Sequence, residues 1–73
     1  MNFKANMMYA AIYRESMPRK QVSVIAIRYD KKKAYIIDGQ HHLIVEVKEL
    51  KSFQQQGART EKEAKLLKGD TWL

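Results

Sequence analysis

The chain has 73 residues, and its 14 Lys and Arg against 8 Asp and Glu give it a formal net charge of +6 and a pI near 9.7. This length fits a single domain, and zero cysteines exclude a disulfide framework and a thiolate zinc site. With no recognisable catalytic set and no phosphate-binding loop, we expect no enzymatic activity and no cofactor, and a function in binding a partner that carries negative charge.

Residues 7–13 form the longest apolar run of the chain, MMYAAIY. Alanine and methionine favour a helix, whereas the alternation of bulky residues allows a strand. We predict a strand, because a further strand would cover an open sheet edge, and Pro18 ends the segment in either case. The run is far shorter than the roughly 20 residues of a membrane span, and residues 1–6 hold no signal core, so we expect a soluble intracellular protein.

The middle of the chain predicts an antiparallel meander of three strands. Residues 22–29 are rich in β-branched side chains and form the predicted central strand, with Ile25, Ile27 and Tyr29 on one face and Val22, Val24, Ala26 and Arg28 on the other. Residues 34–37 form the next strand. Asp38-Gly39 predicts a hairpin turn, and residues 42–47 form the returning strand.

The last third of the chain is more polar. Residues 48–53 are predicted to form a short helical turn, and residues 54–57 a flexible break. Thr60 and Glu63 form a capping box, which predicts a short helix that runs to Lys68 and ends at Gly69. The expected fold is α+β, mainly β: a small antiparallel sheet of three to four strands over residues 1–53, with a linker and a short helix or flexible tail over residues 54–73.

The excess positive charge lies in the first part of the chain. Residues 1–33 contain eight basic and two acidic residues, whereas residues 34–73 contain six of each. Such segregation favours an interaction surface over a merely solvated one. The basic residues predicted to contact a partner are Arg14, Arg19, Lys20, Lys31, Lys32 and Lys33, and the predicted aromatic anchors are Tyr9, Tyr13 and Tyr29. Because the first two loops should lie at opposite ends of the sheet, we expect these charges at both ends.

Other interpretations of the same residues stay open. The lysines at 31–33 lie between Tyr29 and Tyr35, and basic groups beside aromatic rings are typical of proteins that bind single-stranded nucleic acid. The lysine turn is also compatible with a solvated surface, and a third interpretation is a subunit that self-associates through a sheet edge. Neighbouring His41 and His42 should point to opposite faces of a strand, so we expect no metal site there.

As a whole chain, the protein resembles the very small, basic transcription regulators of lytic phages. The resemblance lies in the length of 73 residues, the single cysteine-free domain, the opening Met1-Asn2-Phe3-Lys4 and the lack of enzymatic residues, rather than in a motif. Proteins of this kind bind host RNA polymerase, displace the σ factor and act as antiterminators. The resemblance implies docking near the N-terminal region of the β′ subunit and the β flap, close to nascent RNA, in the host bacterial cytoplasm.

Overall fold

The computed structural model describes residues 2–73 and contains a single five-stranded antiparallel sheet. The strands are β1 (Met7–Tyr13), β2 (Lys20–Ile27), β3 (Lys33–Asp38), β4 (His41–Glu46) and β5 (Leu50–Ala58). A 3-10 helix, here called the crossover turn (Val47–Glu49), joins β4 to β5, and a four-residue helix, α1 (Glu61–Ala64), follows. The spatial order is β4-β3-β2-β1-β5, so the mainly β class is confirmed, with five strands where three to four were expected.

The predicted meander and the first strand are both confirmed. β2 is the central strand, and β3 and β4 form a hairpin whose turn contains Gly39 with a positive φ of 62°. Residues 7–13 form a strand rather than a helix, and β1 covers the edge of β2 with Tyr9 opposite Val24. Intrinsic propensities did not decide between a helix and a strand for this segment. Its pairing with β2 on one side and β5 on the other stabilises the strand.

The prediction for residues 48–57 was wrong. Only Val47–Glu49 is helical, and the next nine residues form β5, which pairs with β1. β5 shows no alternation of apolar residues, and its register against β1 shifts twice, with positive φ values at Ser52 and Gly57. Extra residues of this kind form β-bulges, which bend a strand. The predicted boundary between residues 53 and 54 therefore falls inside a strand of the sheet.

The C-terminal helix is shorter than predicted, and the tail after it is attached to the sheet. Thr60 caps the helix by accepting a hydrogen bond from the Glu63 amide (3.3 Å), as the capping box predicts. The helix ends at Ala64, and two i→i−3 hydrogen bonds tighten the turn that follows, well before Lys68. At the end of the chain, the Leu73 amide donates to the Ile27 carbonyl (2.7 Å), so the tail adds to the β2 side of the sheet.

The core lies on one face of the sheet and draws on all five strands. It consists mainly of small and β-branched side chains: Tyr9, Ala11, Val22, Val24, Ile27, Ala34, Ile36, Val45 and Leu50. Burial of such apolar surface contributes about 25 cal/mol per Å². Close packing of alanine and valine at the centre lets the strands of so small a domain bury nearly all of their inward side chains.

A bulge in β2 corrects the predicted faces of that strand. Val24 lies opposite Ile36 and Ala26 lies opposite Tyr35, so Ile25 is an extra residue without a counterpart on β3. Because one extra residue reverses the alternation of side chains, Ile27 joins the core instead of sharing a face with Ile25. By the same shift, Arg28, which was predicted to share a face with Val22 and Val24, lies instead on the outer face, beside Tyr35 and Trp72.

Candidate functional site

The crossover turn joins two of the predicted basic segments. At its start, the Val47 amide donates to the Lys32 carbonyl (2.9 Å), and at its end the Glu49 carbonyl accepts from the Arg14 amide (2.8 Å). A 3-10 helix rises only about 2 Å per residue, so these three residues hold Arg14 close to the lysine turn. The Arg14 guanidinium also donates to the Lys48 carbonyl (3.3 Å).

A groove opens beside this crossover, and we call it the basic groove. It has a cavity volume of about 520 Å³ and is lined by Lys31, Lys32, Lys33, Glu46, Val47 and Lys48. Three of the predicted contact residues thus share one surface with Lys48, a basic residue that sequence reasoning did not select. The groove presents ammonium groups around the aliphatic parts of the same lysines and the half-buried Val47.

The backbone of the lysine turn is fixed by short hydrogen bonds. The Asp30 carboxylate accepts from the Lys32 amide (2.9 Å), and the Lys31 amide donates to the Arg28 carbonyl (2.9 Å). Lys31 adopts a left-handed conformation with a φ of 62°. Asp at the start of a tight turn favours this arrangement, since its carboxylate binds an amide two residues on. The ammonium groups of Lys31 and Lys32 therefore project from an ordered loop.

Glu46 forms ion pairs with two lysines of the groove and leaves the other two unpaired within residues 2–73. Its carboxylate lies 3.0 Å from the Lys48 ammonium and 3.7 Å from that of Lys33. The hydrogen bond and charge of Lys48, with a smaller contribution from Lys33, lower the pKa of Glu46, and the same contact raises the pKa of Lys48. Lys31 and Lys32 have no ion pair within residues 2–73, so their charge is the part available to a partner.

The remaining predicted basic residues do not join the groove. Lys20 forms an ion pair with Asp38 (3.0 Å), at the hairpin end of β3, and Arg19 lies exposed in the loop before it. The register places Tyr13, the neighbour of Arg14, opposite Lys20, whereas the lysine turn follows the other end of β2. The predicted charge at both ends of the sheet agrees with this arrangement, and the crossover turn connects Arg14 to the lysine turn through backbone hydrogen bonds.

The three predicted tyrosine anchors have different environments. Tyr9 is only 4% exposed: it packs edge-on against Phe3 and Phe53, and its hydroxyl accepts from the Lys4 amide (2.8 Å). It therefore offers a partner almost no surface, and its assignment as an anchor was wrong. Tyr13 is half-buried. Tyr29 is 62% exposed and keeps its place in the candidate site.

Tyr13 lies in acidic surroundings. Burial raises the pKa of its hydroxyl, with further contributions from the carboxylates of Glu49, Glu15 and Asp38. This environment differs from that of the basic groove, although Tyr13 is next to Arg14 in the sequence. Its role as an anchor stays a prediction.

Sequence reasoning missed a cluster on the outer face of the sheet. The Arg28 guanidinium lies over the Trp72 ring, 5.0 Å from its centroid, and Tyr35 packs edge-on against the same ring at 6.2 Å. The Tyr35 hydroxyl is 2.8 Å from Nδ1 of His42. The signal was hidden, because strict alternation placed Arg28 on the same face as Val22 and Val24, and Trp72 lay in a segment predicted to be a linker with a short helix or flexible tail.

A second missed residue, Arg59, is structural. Its guanidinium donates to the carbonyls of Ile25 (3.1 Å) and Leu73 (3.0 Å) and to the side-chain oxygen of Asn6 (3.2 Å). Burial lowers the pKa of this guanidinium from an ordinary value so high that the group stays charged. Arg59 thereby ties the β2 bulge, the chain end and the first turn together.

Within residues 2–73, no three His, Cys, Asp or Glu side chains come together as a metal site. Among the same residues, no helix has both the length and the apolar character needed to cross a bilayer. In comparisons with known proteins, no family model, no curated protein and no solved structure matches the chain.

Proposed function

We propose that the protein is a non-enzymatic phage transcription regulator that binds the RNA polymerase of its bacterial host, in the host cytoplasm. In this proposal it inhibits initiation by displacing the σ factor and promotes antitermination during elongation. The docking region on the enzyme is the N-terminal region of β′ with the adjoining β flap. The proposal starts from the whole-chain resemblance to small phage regulators and assigns the contact to the basic groove.

The observation that supports this assignment is the grouping of Lys31 and Lys32, both without ion pairs in the described chain, on an ordered turn beside Lys48 and Arg14. Charged groups held in place attract an acidic protein surface, raise the association rate and select the orientation of docking. Lys33 and Lys48 contribute less, because each shares the Glu46 carboxylate.

Both proposed effects need only occupancy of a surface. A protein that binds core polymerase where the σ factor binds shifts the equilibrium away from holoenzyme by mass action. A positive surface near the RNA exit channel also lowers the electrostatic energy of the emerging transcript, which carries one negative charge per nucleotide. No step in this mechanism requires a reacting side chain.

The proposal is tested with purified core polymerase and holoenzyme, by following complex formation and σ release. The double variant Lys31→Glu/Lys32→Glu is compared with the matched control Lys51→Glu/Lys62→Glu, which changes the net charge equally at exposed positions on β5 and α1. We expect the groove variant to associate about tenfold or more slowly and to lose most of its salt dependence. The control should stay within about twofold of the unmodified protein.

Transcription assays then connect binding to function. The unmodified protein should reduce initiation from a σ-dependent promoter and increase read-through of an intrinsic terminator, and the groove variant should do both less well. Failure of the unmodified protein to bind either form of the polymerase contradicts the proposal. Equal binding by the groove variant and the control contradicts the assignment of the contact to the basic groove.

A further inference from the structure

The Arg28 guanidinium on the outer face is held in position, yet no group in residues 2–73 accepts a hydrogen bond from it. No carboxylate in residues 2–73 forms an ion pair with it, and no oxygen in that part of the chain accepts a hydrogen bond from its side chain. Its Nε is buried and has no hydrogen-bond partner. Buried donors are nearly always satisfied in folded proteins, so an unpaired one at the surface of a cluster calls for an explanation.

The aromatic residues around Arg28 fix its geometry. The guanidinium lies 5.0 Å from the centroid of the Trp72 ring, and Trp72 is itself held by a hydrogen bond from its Nε1 to the Lys68 carbonyl (3.2 Å). Backbone bridging between Arg28 and Trp72 adds a second constraint. A planar guanidinium that is already immobilised loses little entropy when it binds an oxyanion.

Cavities lie on both sides of this arginine. One, of about 290 Å³, is lined by Arg28, Tyr35, Ile44, Leu66, Lys68 and Trp72, and the other, of about 280 Å³, by Arg28, Tyr29, Asp30 and Thr71. Arg28 and Lys68 are the charged groups of the first. In the second, the Asp30 carboxylate, which accepts from the Lys32 amide, balances the charge of Arg28. The first cavity is therefore the positive one, and with its apolar lining it suits a ligand with both anionic and aromatic parts.

An exposed aromatic ring stands beside this arginine. Tyr29 is 62% exposed, yet its backbone is fixed by a hydrogen bond from its amide to the Thr71 carbonyl (2.9 Å). The neighbouring ammonium groups of Lys31 and Lys32 continue the positive surface. Aromatic rings that stack bases, next to cations that contact phosphates, are how proteins bind single-stranded nucleic acids without strong sequence preference. An acidic peptide would use the cations and leave the ring of Tyr29 without a role.

We propose that this outer face binds single-stranded nucleic acid, with Arg28 and Lys68 contacting phosphates and the Tyr29 ring stacking on a base. The site is centred outside the basic groove, which it meets only at the lysine turn, and it does not depend on the polymerase contact proposed above. An RNA strand that follows the surface from Lys68 past Arg28 to Tyr29 reaches the lysine turn, where further phosphates meet Lys31 and Lys32.

The test uses the full-length purified protein and a fluorescently labelled, unstructured RNA of about ten nucleotides, a length within the range that small single-strand binders cover. Fluorescence anisotropy at about 50 and about 200 mM salt should show binding that weakens steeply as salt rises. Tyr29→Ala should weaken binding about 5- to 150-fold, whereas Tyr29→Phe, which keeps the ring, should stay within about twofold. A single-stranded DNA of the same sequence shows how far the 2′-hydroxyl matters.

A matched pair of variants tests the arginine. Arg28→Lys keeps the charge and removes the planar fork, and we expect about tenfold weaker binding. Arg19→Lys makes the same change in an exposed loop and should leave the affinity unchanged. Circular dichroism melts confirm that each variant is folded.

Three results would overturn the inference. The first is affinity for the single strand no greater than for a duplex of equal charge. The second is unchanged binding by Tyr29→Ala. The third is an acidic peptide that binds more tightly than RNA and is insensitive to Tyr29→Ala, which would assign the face to a protein partner. Because polymerase is absent from these experiments, none of them bears on docking through the basic groove.

Discussion

Two arginines next to the β2 bulge, Arg59 and Arg28, differ in how the hydrogen-bond donors of their guanidinium groups are used. Arg59 donates to the carbonyl of Ile25, the extra residue of the β2 bulge, and to two further oxygens. Arg28 owes its outward position to the same bulge, and its guanidinium donates to no group in residues 2–73. A cation whose donors end on backbone carbonyls serves the fold, whereas one fixed in place with its donors unused is available to a ligand.

The largest effect predicted by this contrast is on stability. Arg59→Ala leaves the Ile25 and Leu73 carbonyls without their charged donor, and we expect a loss of about 2–4 kcal/mol in the free energy of unfolding. Urea denaturation followed by tryptophan fluorescence measures it. Arg59→Lys reaches fewer acceptors, so its free energy of unfolding should lie between that of the unmodified protein and that of Arg59→Ala. A loss below about 0.5 kcal/mol, typical of a surface substitution, would show that the contacts of Arg59 are dispensable.

Substitution of Arg28 should change the stability of the fold much less than substitution of Arg59. Arg28→Ala removes a cation–π contact with Trp72 worth about 0.5–1 kcal/mol, together with an unsatisfied donor, so the net change in unfolding free energy should stay below about 1 kcal/mol. The same denaturation experiment applies. A destabilisation equal to that of Arg59→Ala would remove the distinction between the two residues and make Arg28 part of the framework.

Two surface lysines, Lys20 and Lys31, allow the same comparison between a paired and an unpaired cation. Lys20 is paired with Asp38 at 3.0 Å, whereas Lys31 has no ion pair in the described part of the chain. On a heparin column, which presents a dense polyanion, Lys31→Ala should elute at clearly lower salt than the unmodified protein, and Lys20→Ala at only slightly lower salt. Equal shifts would mean that the pairing with Asp38 does not reduce the charge seen by a partner.

The smallest predicted effect is the pH dependence of the Glu46 ion pairs. Because the folded pKa of Glu46 is lowered from 4.5 by Lys48 and Lys33, the carboxylate stabilises the fold above that value and ceases to do so as the pH falls through the lower, folded pKa. The unmodified protein should therefore melt slightly higher than Glu46→Gln at about pH 7, and the difference should shrink progressively as the pH falls below 4.5. A difference that persists in acid would have a source other than charge.

The part of the fold that sequence predicts is the part with local signals. Clustered β-branched residues specify β2, Asp38-Gly39 specifies the hairpin, and Thr60 with Glu63 specifies the start of α1. β5 had no such signal, because its exposed edge is polar and its bulges interrupt the alternation of side chains. β5 forms because it pairs with β1, which is distant in sequence. Local sequence patterns do not predict such long-range pairing.

In the candidate site, too, the residues with a local sequence signal were predicted and those placed by long-range contacts were not. The lysine turn is a contiguous motif and was found from sequence, as was exposed Tyr29. Lys48, Arg28 and Trp72 were missed, because the crossover turn, the bulge and the attachment of the tail bring them to their positions. Tyr9 was misassigned, since an aromatic residue in a short apolar segment looks the same whether it faces solvent or the core.

The pairing of β1 with β5 has a consequence for the newly made chain. The 45 residues that follow Tyr13, as far as Ala58, take about 2 to 9 s to synthesise at about 5–20 residues per second. Until they emerge from the ribosome, the strand MMYAAIY, apolar and without proline, lacks its cover on one side, as in segments that form intermolecular β-sheets. β5 then closes that edge, and its two bulges and the exposed Lys51 make it a poor template for further strand pairing, while the high net charge keeps nascent chains apart in the meantime.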